Sequence, residues 1–565
     1  MTNSQGASIT EISDAVVADL AALSPMMATY LGIGGASDRL DDLSPAGLQA
    51  QADLADRAIA AASAAVPASA ASPANDHDAV ARDVLVERLS VEKDRFDSGW
   101  THAELNVIAS PVQSVRQIFD LMPTGTDDDW ATIARRMQAV PAALAGYRES
   151  LAAGAADGKI SARRQVTKCA EQCDTFAGVS GDGFFTGLAA SANREGGLHQ
   201  DLIAGATAAE SAYADLGQFL RSELQAKAPE KDAVGQQRYA LGSRYFLGSI
   251  VDLQQTYDWG WQEFLSIESE LIEVAERIAP GAGPLGAAKQ LDADPKYQVR
   301  GKDGLQQWMQ GLSDKAVEEL SKTHFQVEGP MRTLACRIAP PGGGVGAYYT
   351  GPSDDFSRPG TMWWSVPADR EVFPTWRETT TVYHEGVPGH HLQIATAVAT
   401  KDLLNDFQRL LAGTSGHAEG WALYAERLVR EAGYLSDDGD LLGMLDAQLF
   451  RAARVVLDIG MHLELTIPTG TGFHSGERWT PELGLEFLLT RTISDPAHSK
   501  DEIDRYLGWP GQAPAYKVGE RVWLQGRDAA KARHGDAFDP KAFHTAALQA
   551  GEMGLDPLAA LLSTL

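Results

Sequence analysis

The chain has 565 residues, 44% of them hydrophobic, and a formal net charge of −28, enough apolar content for a large core and a length of roughly two to four domain-sized units. A charge of that sign repels phosphate backbones and speaks against nucleic-acid binding, and no run of about 18 apolar residues signals a membrane span. Three cysteines, and an N-terminal MTNSQGASITEISDAVVADL without basic start or apolar core, point to a reducing, cytoplasmic setting.

The first 280 residues are rich in Ala, Leu, Glu and Asp with few strand-like runs, and read as helical. The small, polar, Pro-containing stretch from Ala65 to Asp78 reads as a linker or loop. Cys169 and Cys173, four apart on a predicted helix, read as ordinary reduced thiols. Phe264, Ile267, Leu271, Val274, Ala275 and Ile278 fall on one helical face. A break with three prolines and several glycines runs from Ala279 to Gly301, and a helix is predicted from Lys302 to about Thr323. Strand character appears next, in Arg332 to Ile338, Val345 to Thr350 and Thr361 to Val366, with Cys336 as a small core residue. After Pro374 the pattern is helical to the C-terminus, interrupted at 468–472 and 508–514. No repeat of fixed period is present. The expected fold is mainly α, with a helical N-terminal part (1–300), a catalytic helical part (301–565), and a small antiparallel β-element at about 330–367.

That β-element leads into His384-Glu385-Gly386-Val387-Pro388-Gly389-His390-His391. In HExxH hydrolases two histidines four apart hold a zinc ion, and the glutamate takes a proton from a water that the metal activates. Here proline stands where the second histidine belongs. Proline lacks an amide hydrogen and glycine tolerates unusual dihedrals, so Pro388-Gly389 reads as a bulge inserted into the motif. His390 then becomes the second ligand, with His391 as the alternative; Glu385 is the general base in both readings. A catalytic zinc needs a third protein ligand. Glu419 in Gly416-His417-Ala418-Glu419-Gly420-Trp421 is the candidate and His417 its rival, on a helix that Ser415 could cap. Glu426 shares the face of Glu419 and could stand behind the ligands. The plainer reading of Glu419 is an acid favoured by the dipole at a helix start.

The blocks HExxPGHHLQ (His384 to Gln393), EGWALYAE (Glu419 to Glu426), VVLDIGMH (Val455 to His462) and RYLGWPGQAPAYKVG (Arg505 to Gly519), with SPMMATYLGIGG (Ser24 to Gly35), resemble the bacterial family called domain of unknown function 885. The resemblance spans nearly the whole chain and implies a predominantly helical, zinc peptidase-like fold. More distantly, the order of parts is similar to helical zinc peptidases such as angiotensin-converting enzyme, thimet oligopeptidase and the Taq-type carboxypeptidases, where an edge strand precedes HExxH and a later glutamate completes the site. Dipeptidyl peptidase III, with one extra residue inside its HExxH, is a precedent for an insertion.

That analogy implies further roles. The Tyr348-Tyr349 and Thr361-Met362-Trp363-Trp364 strands would hold an extended peptide by backbone pairing, with Tyr349, Trp363 and Trp364 as substrate contacts, or else be aromatic core strands. Tyr516 would donate to the oxyanion, or pack on the bundle. His462, four after Asp458, would assist it or be a buried histidine satisfied by that aspartate. Arg505 would meet a substrate carboxylate or form a structural salt bridge. The expectation is a cytoplasmic metallopeptidase with one Zn2+ per chain, two helical lobes flanking a deep cleft, and short peptides as substrates. Its rivals are a zinc amidase or esterase on a non-peptide substrate, and a non-catalytic peptide-binding protein.

Overall fold

The computed structural model describes residues 7–34, 37–65, 77–339, 346–353, 355–367 and 369–565. Residues 66–76 of the expected linker and Val345 of the second expected strand lie outside the described residues. The chain is mainly α and divides into two compact units.

The first unit comprises Met1–Val66, Leu85–Gln237 and Asp501–Trp509. Its centre is built from α1 (Asp127–Ala156), α2 (Arg163–Ala177) and α3 (Gly196–Phe219). A reciprocal cap starts α1: the Thr126 hydroxyl accepts from the Asp129 amide, and the Asp129 carboxylate accepts from the Thr126 amide. Asp127, Asp128 and Asp129 also complement the helix dipole in that first turn. Residues three or four apart on α1 (Trp130, Ile133, Met137, Val140, Leu144, Tyr147) share a core with Leu202, Ala206, Ala209 and Tyr213 of α3. Each large apolar side chain buried there stabilises the fold by about 1.5–3 kcal/mol. Cys169 and Cys173 of α2 lie in this core as free thiols; burial pushes both up, Cys173 to about 12, which leaves them unreactive.

The second unit comprises Pro67–Val84, Arg238–Lys500 and Pro510–Leu565. It includes α4 (Leu253–Ile278), which lies within residues 1–300. The apolar stripe of α4 is buried apart from the half-buried Ile278. The expected break at 279–301 instead holds a helix, Gly283–Ala293, because Pro284 sits in its first turn, where no intrahelical amide bond is lost. Helix α5 (Gly301–Thr323) follows β1 (Gln298–Arg300).

Next come β2 (Leu334–Ile338), β3 (Gly346–Thr350), β4 (Gly360–Ser365) and β5 (Val372–Pro374), the last paired with β1. The three-stranded sheet has the order β2-β4-β3, with β3 antiparallel and β2 parallel to β4. The expected antiparallel element is therefore a mixed sheet. Chain direction alternates along β2, β3 and β4, and the β3–β4 hairpin inserts its second strand beside β2. Leu305 and Met309 of α5 pack with Leu334, Cys336, Met362 and Trp364, and Val382 of the following helix joins them. The sheet thereby fixes that helix, α6 (Thr375–Glu385). The remaining helices used below are α7 (His390–Ala399), α8 (Ser415–Glu431), α9 (Asp438–Leu463) and α10 (Ala515–His534). Among the described residues no single helix is long and apolar enough to cross a membrane.

Candidate metal centre

The motif is split between two helices. α6 stops at Glu385 and α7 starts at His390, because Pro388 has no amide to continue the ladder. The Gly389 amide turns back to the Tyr383 carbonyl at 3.1 Å, and the His391 amide to that of Gly386 at 3.2 Å. A β-carbon at Gly389 would stand 1.8 Å from the His384 carbonyl oxygen, so the turn requires glycine. From α8, the buried Trp421 indole donates to the carbonyls of Pro388 (2.8 Å) and Gly389 (3.1 Å), pinning the kink. The result is a His384–His390 ring pair, centroids 4.8 Å apart and nearly perpendicular at 89°.

Glu419 enters from α8. Its Oε2 lies 3.3 Å from His384 Nε2 and 3.7 Å from His390 Nε2, and the three ligand atoms lie within 4.8 Å of one another. Donors held at 2.0–2.1 Å around a tetrahedral ion stand about 3.3 Å apart, so the spacing suits zinc, as do two imidazoles and a carboxylate. Glu419 Oε2 is buried and, despite those short separations, has no aligned hydrogen bond among the described residues. An orphaned buried carboxylate oxygen between two imidazoles is the arrangement a cation completes. Burial opposes charge on Glu419, yet the two histidines outweigh it and hold its carboxyl well below the usual range.

Behind the triad, Glu426 accepts from His384 Nδ1 at 2.8 Å, which frees Nε2 to face the other ligands. The second Glu426 oxygen accepts from Gln448 of α9 at 2.9 Å, and Gln448 accepts from Lys517 of α10 at 3.0 Å. Lys517, 0% exposed, is ion-paired with Glu263 (2.8 Å) and Glu520. The helices α8 and α10 meet without side chains between them, for a β-carbon on Gly420 would lie 2.5 Å from the Gly519 Cα. That contact sets Lys517 beneath the ligand helix. A fully buried Glu426 left alone would cost several kcal/mol, and this chain of partners offsets it. Burial works against charge on His384, but Glu419 and Glu426 outweigh it and raise its pKa to about 10. The pocket is thus electrostatically suited to one positive charge.

Glu385 is 7% exposed and makes no hydrogen bond or ion pair among the described residues. Tyr516, half-buried at the start of α10, has the Arg454 guanidinium 4.6 Å from its ring centroid, and its hydroxyl has no hydrogen-bond partner among the described residues. Thr414, not Ser415, caps α8, accepting from the His417 amide at 3.1 Å.

Several candidates stand elsewhere. His391, one residue round the helix from His390, binds the Tyr349 hydroxyl at Nδ1 and the Met331 carbonyl at Nε2, both at 2.8 Å. Burial pushes it down to about 4, and this neutral, doubly occupied ring is not part of the triad. His417 is buried, accepts from Gln393 at 3.2 Å, and is likewise outside it. His462 lies 14 residues beyond Gln448 on α9, about 21 Å along the axis. It is fully buried, 3.7 Å from Asp458, which accepts from the Tyr239 hydroxyl and the Gly511 amide. It is the buried histidine beside its aspartate. Arg505 forms the structural alternative, a 2.9 Å salt bridge to Glu502 in the first unit. In the sheet, β4 is paired on both edges and cannot accept a further strand. Trp364 is core, Trp363 stacks on Tyr348 at 6.3 Å, and the Tyr349 hydroxyl is committed to His391. The outer strands of this sheet are β2 and β3. The Gln310 side chain covers part of the β2 edge, donating to the Leu334 carbonyl and accepting from the Cys336 amide, while the outer edge of β3 has no strand partner among the described residues.

Sequence reasoning missed the clamp by Trp421 and the backing by Gln448 and Lys517. Trp421 and Lys517 lay inside quoted blocks; Gln448 has no local signal, since its partners come from distant helices.

Fold and site together define a mainly α protein with a His-His-Glu constellation at a helix break. The family described as "Bacterial protein of unknown function (DUF885)" matches residues 25–562, and the chain belongs to it. No curated protein matches the chain. Among solved structures, the "putative lipoprotein from Colwellia psychrerythraea" is similar over 98% of both chains, with a TM-score of 0.82 and 21% identity. The "putative lipoprotein of unknown function from Shewanella oneidensis" is similar over 98% of this chain and 100% of its own, with a TM-score of 0.74 and 18% identity. At such identities these likenesses concern the fold alone.

Proposed function

We propose that this chain is a zinc-dependent metallopeptidase that hydrolyses short peptides. The observation that carries the reading is the convergence of His384, His390 and Glu419 Oε2, which has no hydrogen bond among the described residues. Next in sequence to His384 stands Glu385, an acid that makes no side-chain hydrogen bond or ion pair among the described residues. Zinc held there supplies a Lewis acid that polarises a carbonyl and lowers the pKa of water. His384, His390 and Glu419 would be its ligands, and Glu426 would keep His384 in the tautomer that offers Nε2. Glu385 takes the proton of the attacking water and delivers it to the departing amine nitrogen. The Tyr516 hydroxyl, free of other bonds, is the donor for the developing oxyanion. The unpaired edge of β3 suits an extended peptide chain, whose backbone would add as a further strand.

Glu385→Gln tests the reading. The variant is expected to bind one zinc per chain and to lose at least about 100-fold in kcat on a peptide pool, the scale of general-base catalysis. Wild-type turnover by a zinc-loaded Glu385→Gln protein would remove Glu385 from its role. Absence of both zinc binding and peptide cleavage in the unaltered chain would remove the peptidase reading itself.

A further inference from the structure

The three-stranded sheet carries a row of planar side chains on its outward face. Side chains alternate along a strand, and Ala347 and Tyr349 of β3 pack inward against the core of Leu334, Met362 and Trp364. Tyr348, between them, therefore points the other way. It stands directly opposite Trp363 of β4, and Trp363 stands directly opposite Arg337 of β2. The Tyr348 and Trp363 rings stack with centroids 6.3 Å apart and planes 16° from parallel. Trp363 is half-buried and Tyr348 is 40% exposed. The row ends at Tyr348, on the strand whose outer edge has no strand partner among the described residues.

The same strand lies at the candidate metal centre. Cα atoms of β3 come within 8 Å of those of α6, the helix of His384 and Glu385. From its inward face the Tyr349 hydroxyl reaches His391 Nδ1 at 2.8 Å, one residue along α7 from the ligand His390. A peptide added to the open edge of β3 would run about 4.8 Å outside it. Its residue opposite Tyr348 would turn outward, and the residues on either side of that one would turn inward. Side chains directly opposite on paired strands have Cβ atoms about 4.5–5.5 Å apart, and aromatic rings stack with centroids about 4.5–7 Å apart. An aromatic side chain at that one position therefore continues the row and covers the Tyr348 ring, whereas a short one leaves it in water. We propose that Tyr348 sets the specificity of the site, selecting an aromatic side chain at one position of the peptide substrate and not at the two flanking positions. This deepens the peptidase reading and rests on it.

The test has a binding arm and a cleavage arm. Zinc-loaded Glu385→Gln protein is titrated by calorimetry with hexapeptides of alanine and serine, with and without one phenylalanine. Phenylalanine is expected to tighten binding about 3- to 10-fold, the scale of an aromatic pair. Adding Tyr348→Ala should abolish that gain without loss of zinc, and Tyr348→Phe should keep it. In the cleavage arm the unaltered chain digests a mixed peptide pool, and mass spectrometry reads the products. Aromatic residues should be enriched at one fixed position from the cut and not at the positions beside it, and Tyr348→Ala should erase the enrichment. Equal affinity for both hexapeptides overturns the proposal, as does a Tyr348→Ala variant that is weakened equally for both or keeps the gain. If Tyr348→Ala does not fold, Tyr348→Leu, which keeps apolar bulk without a ring, is measured in its place. Cleavage without aromatic enrichment would discard the Tyr348 assignment and keep the peptidase reading. A Tyr348-dependent gain in a chain that cleaves no peptide would keep the aromatic site and discard the peptidase reading.

Discussion

Among the described residues, the first unit leaves a few scattered buried polar atoms without a hydrogen bond (Ser13 Oγ and the Nε of Arg136, Arg163 and Arg505), whereas the second gathers several around one triad. In the first, Gln113 accepts from the Ser110 amide and hydroxyl and donates to Asn106 and Gln172, Tyr213 donates to the Val112 carbonyl, and the buried Arg136 donates to Thr29 and the Pro25 carbonyl. Around the triad of the second, Glu419 Oε2, His390 Nδ1 and Arg451 Nε are buried with no hydrogen bond, and Glu385 and the Tyr516 hydroxyl add unpartnered groups nearby in the fold. Each buried polar group left unsatisfied costs about 1–3 kcal/mol. Such groups persist where a ligand completes them. The first unit is therefore read as scaffold, and the second as the part that gave up stability for chemistry.

Removing one of the open ligands is the strongest way to break this contrast. His390→Ala should lose stoichiometric zinc, while His391→Ala should keep it and lose about 1–3 kcal/mol of stability, because the Met331 carbonyl and Tyr349 hydroxyl lose a shared partner. Metal analysis beside thermal unfolding reads both; zinc lost from His391→Ala and kept by His390→Ala would reverse the assignment. In the scaffold the converse is expected. Phe185, 0% exposed, meets the rings of Phe119 and Tyr213. Phe185→Ala should cost about 3–5 kcal/mol of stability while the folded protein still binds one zinc. A fall in zinc affinity there would show that the regions do not separate in this way.

The contrast also explains what the sequence could announce. The α4 stripe and the helix starting near Lys302 were legible because periodicity reports burial directly. The mixed sheet was not, since three short strands in a row suit a meander as well as an inserted hairpin. His384, Glu385 and the Pro-Gly break were legible because that chemistry is packed into eight residues. The choice between His390 and His391 was open from spacing alone. It depends on Trp421 gripping the kink and on Tyr349 and Met331 occupying His391, contacts that only the fold creates. For His462 the structure gives the second of its two expected readings, a buried histidine 3.7 Å from Asp458 and about 21 Å along α9 from Gln448.

A smaller effect sharpens the role of the groups behind the ligands. Glu426→Gln keeps the size of the side chain but removes the charge that orients His384. Zinc affinity is expected to fall about 10- to 100-fold, the usual scale for such backing residues, as read by competition with a chelator. Unchanged affinity would reduce the Glu426–Gln448–Lys517 chain to a packing feature.

The smallest effect concerns an acid of the second unit that lies outside the triad. Glu552 is half-buried and takes a hydrogen bond from the Gly413 amide; burial nevertheless pushes its carboxyl up from an ordinary 4.5 to about 7. The folded chain thus holds this proton more tightly than the unfolded one. The stabilisation is full below about pH 4.5 and is lost as pH climbs through about 7. Glu552→Gln fixes the neutral form, so it should match the parent near pH 4.5 and exceed it by about 1–3 kcal/mol at pH 8, less than the full shift implies because the carboxyl keeps some water. Unfolding monitored at both pH values reads the difference. Equal stability at pH 8 would mean that Glu552 is charged in the fold, and that the second unit holds one more carboxylate awaiting a cation.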